Sequence, residues 1–178
     1  MWPVLPQLGY VSEYLLGISF SNGPHDETLN LQSADSIYGG CVIRAKYKLA
    51  GIDWTDWADF LQFNRNKEKE QRLFDLVTNG KPYALLNRKY GTPPQYAIKD
   101  FSFSTDLPIV ETDFVAGYTP FDWCQVFENA EEIYTVDTSI MVIMEKLQLK
   151  SKSNNVWGRL GHFTHVEGLF KTLWNYRH

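Results

Sequence analysis

Between Pro82 and Leu147 short apolar runs alternate with stretches that read as helices, and this alternation limits the fold more than any other feature of the chain. Tyr83-Ala84-Leu85-Leu86-Asn87 carries too little polarity to be half exposed, so it predicts a strand central in a parallel sheet. Leu107 to Glu111 predicts a second strand and Ile133 to Val136 a third. Thr119-Pro120 sets an N-cap hydroxyl ahead of a helix-starting proline, with Asp122 three residues beyond the cap. A helix is therefore expected from Phe121 to Asn129, and another from Ser139 to Leu147. Strands that alternate with helices point to an α/β fold, a Rossmann-like parallel sheet flanked by helices.

The flanks are read in the same terms. Trp2 to Leu5, Gly17 to Phe20 and the shorter Leu29 to Leu31 predict strands, with a loop at Asn22-Gly23-Pro24. Cys41 to Leu49 predicts a helix stopped by Gly51, and Asp53 is expected to cap a second over Trp54 to Leu61. A longer helix over Lys67 to Thr78 places Leu73, Phe74, Leu76 and Val77 on one face and stops at Asn79-Gly80. Val156 to Leu160 predicts a late strand. Val166 to Tyr176 predicts a terminal helix presenting Leu169, Phe170, Leu173 and Trp174.

Composition removes several classes of function. The net charge of −4 leaves no basic excess for a broad nucleic-acid footprint. The ten tyrosines and six tryptophans each want one polar partner, which suits core, interface or the stacking of a sugar or base. Cys41 and Cys124 fall in apolar segments and read as buried thiols of a reducing compartment. His25, His162, His165 and His178 show no partner at ligand spacing, so no metal is expected. The start lacks a basic flank with a long apolar run, and no stretch is apolar enough to span a bilayer. A soluble, cytoplasmic chain is expected.

In a parallel sheet the carboxyl ends of neighbouring strands share one edge. Three such ends carry polar chemistry here: Arg88 with Lys89, Glu111 to Asp113, and Asp137-Thr138-Ser139. The hydroxyls of Thr138 and Ser139, with free N–H groups where the strand hands over to a helix, suit phosphate oxygens. Arg88 or Lys89 would supply countercharge. Asp137 repels phosphate, so it is expected to cap the helix or order the turn. The plain alternative is an N-cap cluster beside a solvated basic loop.

The stretch from Gly117 to Leu147 resembles the donor-side motif of glycosyltransferases of the GT-B architecture, closest to the heptosyltransferase-like enzymes of cell-envelope polysaccharide synthesis. Gly117, Thr119, Ala130 and the Asp137-Thr138 pair occupy matching places. Ser139 stands where that family has glycine, and Val142 where it has histidine. The resemblance implies a donor half over residues 79–178 and a remnant of the acceptor-side half over residues 1–78. It further implies a nucleotide-diphospho-sugar held by Arg88, Lys89, Gly117, Thr119, Asp137, Thr138 and Ser139. The sugar would pass to a hydroxyl acceptor, a saccharide, with no cofactor.

His25 and Asp26 are the N-terminal residues available as a general base. A full enzyme of that kind is about twice this long, so a fragment, a degenerate relative or one half of an assembly is expected. A non-catalytic nucleotide- or sugar-binding module, and a structural protein with an empty phosphate site, are the rival readings. A half-length chain leaves surface uncovered, so a homo-oligomer is expected, with Trp2, Trp54, Trp57 and Trp174 as its exposed candidates.

Overall fold

A computed structural model of the chain describes residues 42–49, 51–91, 97–163 and 166–178. The early strands expected before residue 32, together with Trp2, His25, Asp26, Cys41 and His165, lie outside the described residues. The chain divides into two compact units, residues 1–64 and 65–178.

In the first unit, helix α1 (Val42–Leu49) ends as the sequence predicts. Gly51 takes the left-handed φ of 66° that a side chain would resist, and the Ile52 N–H donates back to the Tyr47 carbonyl at 3.0 Å. The Arg44 guanidinium lies 4.5 Å over the Trp54 ring. The next helix is shorter than expected. Asp53 Oδ1 accepts the Thr55 N–H at 2.9 Å in a local turn, so α2 begins only at Trp57 and runs to Phe60.

The second unit opens on α3 (Lys67–Thr78), whose N-cap Asn66 accepts the Lys69 N–H and whose C-cap Asn79 is left-handed at φ 51°. The second compact unit begins at Arg65, and within it α3 packs on the helical crossover that follows β4. The buried face of α3 carries Glu70, Leu73 and Thr78, and Leu76 is 60% exposed. At 100° per residue Leu76 points well away from the 70/73/74/77 stripe, so its place on the apolar face is corrected.

The sheet strands are β1 (Ala84–Asn87), β4 (Ile109–Glu111), β5 (Glu132–Val136), β6 (Ser153–Trp157) and β7 (Asn175–Arg177), in the order β4-β1-β5-β6-β7 and all parallel. A separate hairpin pairs β2 (Lys89–Tyr90) with β3 (Ala97–Ile98). Strand β1 is buried along its whole length, as its composition requires. Leaving the β4 strand, Thr119 caps a 3-10 turn (Pro120–Trp123) that runs into α4 (Cys124–Asn129); α5 (Ser139–Met144) joins β5 to β6.

Two expectations for the tail change. The strand after α5 begins at Ser153 rather than Val156, and residues 166–169 form a turn instead of a helix. Leu169 and Trp174 are nevertheless buried while Leu173 is 89% exposed. That scatter has no helical period, and Asn175–Arg177 joins the sheet instead.

Connections between parallel strands are right-handed, so a step to one side of β1 and steps to the other side lie on opposite faces. The β1-to-β4 connection accordingly covers one face: Phe101, Phe103 and Leu107 pack on Ala84, Leu86, Tyr134 and Trp157. The helices of the later connections belong to the other face, where the Tyr83 hydroxyl donates to the Val126 carbonyl of α4. Among the described residues no helix is long and apolar enough to cross a membrane.

Polar contacts tie α3 to the crossover. Asp122 Oδ2 takes the Thr119 N–H and hydroxyl and the Lys69 ammonium at 2.6, 2.8 and 2.8 Å. Burial works against ionisation, but those donors outweigh it and hold the Asp122 carboxyl below its ordinary range; Glu128, hydrogen-bonded to Arg65, is depressed likewise. A carboxyl depressed on folding stabilises above its unfolded pKa and loses that contribution as pH falls through the folded value. The urea midpoint is therefore expected to stay level above about pH 5 and fall below about pH 4. Asp122→Asn should flatten part of that slope; an unchanged profile in the variant removes Asp122 from the account.

Candidate functional site at the carboxyl edge of the sheet

Numbered along the chain, the five sheet strands run 2-1-3-4-5, and the order reverses between β1 and β5. In open α/β sheets that reversal opens a crevice at the carboxyl edge, because the flanking connections leave toward opposite faces. At this edge the strand ends carry polar side chains. Asn87, 1% exposed, closes β1. Its amide donates to Thr135 Oγ1 at 2.9 Å and Thr138 Oγ1 at 3.3 Å, and its oxygen accepts the Thr112 hydroxyl at 2.8 Å. One amide thus joins the ends of β1, β4 and β5. Nothing in the composition marks these three threonines as partners, although a polar residue closing an apolar strand was a usable signal at Asn87.

The residues named from sequence fall in loops leaving this edge. Thr138 is the N-cap of α5, and its hydroxyl accepts the Ile140 N–H at 3.4 Å. Ser139 is exposed. Asp137 orders a turn, one of its two expected roles: buried to 2% exposure, it accepts the Arg159 N–H at 2.5 Å and so ties β5 to the turn after β6. Gly158 in that turn has no room for a side chain, since a Cβ there would sit 2.7 Å from the His162 carbonyl oxygen.

The basic turn is not a free countercharge. Arg88 makes a two-pronged contact with Glu111, each arm 3.2 Å, and Lys89 reaches Asp113 at 2.6 Å. The Lys89 ammonium, with the Phe114 N–H, holds the Asp113 carboxyl below its ordinary range. Thr119 spends its hydroxyl and N–H on Asp122, which makes it a helix cap. Gly117, exposed at φ 84°, turns the chain ahead of that cap with open space around its Cα.

The remaining candidates shift as well. Cys124 is a buried thiol, and burial pushes its pKa up to about 12, so it is no nucleophile at neutral pH. Trp57 and Trp174 are buried, which removes them from any exposed oligomer surface, and Trp54 is half-buried beneath Arg44. Among the described residues no three His, Cys, Asp or Glu side chains converge as metal ligands would.

Fold and site together define a Rossmann-like α/β unit with polar side chains clustered at its topological switch point. Comparison with protein-family models, with curated proteins and with solved structures finds no match.

Proposed function

We propose that the chain binds a nucleoside diphosphate, free or carried by a nucleotide-diphospho-sugar, in the crevice between the carboxyl ends of β1 and β5. The reversal of strand order at that point is the observation that carries this reading. The exposed Ser139 hydroxyl and the Thr138 hydroxyl stand at its rim, and Arg88 directly follows Asn87. In this reading the diphosphate displaces Glu111 from part of the Arg88 fork. The fuller form is a glycosyltransferase that moves the sugar to a hydroxyl acceptor by direct displacement at the anomeric carbon. Thr138, Ser139 and Arg88 would stabilise the departing diphosphate.

One observation favours a second reading. Arg88 and Lys89 are already neutralised by Glu111 and Asp113, and Thr138 already serves Asn87 and Ile140. On those grounds the crevice is a structural joint between strands. Thermal-shift titration with UDP, GDP and ADP decides between the two. A bound nucleotide at a hundredfold excess over its Kd stabilises by about 2.7 kcal/mol, a rise of several degrees in melting temperature. Arg88→Ala and Thr138→Val are expected to remove that rise. No shift with any nucleotide selects the structural joint, and a shift without sugar transfer or donor hydrolysis selects a binding module over the enzyme.

A further inference from the structure

The sheet face away from the helices is only partly roofed. Phe101 stacks on Trp157 with centroids 4.0 Å apart and planes 9° from parallel, and Phe103 leans on Tyr134 at 4.7 Å. Beside these rings opens a cavity of about 610 Å³, bordered by Ser102, Ser104, Ser153, Asn155, Arg177 and His178. That volume is in the range of small-molecule sites, about 300–1,000 Å³.

Its chemistry is set by one pair. Asn155 is 4% exposed, and its amide is anchored on the Ile133 carbonyl at 3.3 Å and Ser153 Oγ at 3.4 Å. Its oxygen accepts two N–H groups of Arg177, from Nε at 3.1 Å and Nη2 at 2.9 Å. A guanidinium has five N–H donors, so this clamp orients Arg177 and leaves others to spare. The clamp is also neutral. Arg65 and Arg88 each face a carboxylate, whereas no described carboxylate lies within ion-pair distance of Arg177. Glu132, an acid on the same face, is engaged by the Tyr134 hydroxyl at 2.7 Å. An oriented cation without a counter-ion stands beside a cavity fringed by serine hydroxyls, which both donate and accept.

We propose that this cavity binds a small hydroxylated organic anion, a phosphate monoester or a hydroxy-carboxylate. Arg177 takes the anionic group, and Ser102, Ser104 and Ser153 meet the ligand's hydroxyls. The site is separate from the crevice at the carboxyl edge and does not depend on it.

Calorimetric titration of the full chain tests this with glycerol 3-phosphate, gluconate, sorbitol and inorganic phosphate. Saturable binding of one of the two organic anions is expected, at least about tenfold tighter than sorbitol, in line with a charge-assisted hydrogen bond. Arg177→Gln should erase that preference, and Thr138→Val should leave it intact. Should Arg177→Gln unfold, Arg177→Lys carries the same test, because it keeps the charge but loses the fork: the preference is expected to drop severalfold. The proposal is overturned by absence of saturable binding of both organic anions, by sorbitol binding equally, by inorganic phosphate binding as tightly as either organic anion, or by an unchanged preference in the folded Arg177 variant.

Discussion

Arg65→Ala is expected to destabilise the protein by about 3–5 kcal/mol, the usual consequence of removing one partner from a buried ion pair. The guanidinium forks between two carboxylates, with contacts to Glu70 at 2.8 and 2.5 Å and to Glu128 at 2.6 and 2.8 Å. Those bonds, to Glu70 first and Glu128 second, lift the Arg65 pKa above the ordinary arginine range. The Glu70 side chain is fully buried, and its other cation, Lys67, lies 3.6 Å away on a side chain that is 65% exposed. Truncating Arg65 therefore leaves two acids close together with one weak, solvated neighbour. Urea unfolding reads the loss directly. A triple change, Arg65→Met with Glu70→Leu and Glu128→Leu, should recover most of it, because no buried charge is then left unpartnered. A single-variant loss under 1 kcal/mol would show that water reaches this site.

Phe127→Ala carries the second large effect, about 3–5 kcal/mol. Phe127 sits on α4 at 1% exposure, with Cys124 and Val126 of the same helix buried beside it in the unit's interior. Its ring lies 6.3 Å from Trp123 and holds the crossover that leads from β4 into β5. Removing it leaves a cavity that short, tightly connected elements cannot close by sliding. Phe127→Leu should cost less than half as much. Equal losses for the two variants would mean that the ring's shape, rather than its volume, is what the core requires.

Much of the second unit could be read from local residue chemistry. Ala84-Leu85-Leu86 is too apolar to face water on either side, and it does lie in the interior of a parallel sheet. The helix α3 starts at Lys67 and stops at the Asn79-Gly80 pair, as expected. The Thr119-Pro120-Phe121-Asp122 box caps the crossover. These succeed because a cap, a left-handed stop or a fully apolar strand is decided within a few residues.

The tail was misread for the opposite reason. Leu169, Phe170, Leu173 and Trp174 have a spacing that suits a helix, yet β6 offered an open edge to residues 175–177, and strand pairing outweighed a weak local preference. The start of α2 was displaced in the same way, by an aspartate that bonded its neighbour's N–H instead of capping a longer helix.

The candidate site divides along the same line. Which residues stand at the strand ends was legible: Arg88, Lys89, Asp137, Thr138 and Ser139 all do, since strand ends follow from where apolar runs stop. What those residues bond to was not. Glu111 at the end of β4 and Asp113 in the loop after it neutralise the two cations, and Asn87 spans to Thr112, Thr135 and Thr138 across sequence gaps that no local pattern connects. The cavity beside Arg177 is invisible in one dimension, because it arises where β5, β6 and β7 meet residues 102–104.

The amino-acid order alone determined the alternation of strand and helix, the caps, and the apolar centre of the sheet, because each is settled by neighbours within a turn or two of chain. Only the tertiary structure decided the strand order, the partner of each charge and the polar cavity beside Arg177. Those depend on which distant segments are brought side by side, and side-chain electrostatics act over ångströms of space rather than along the chain.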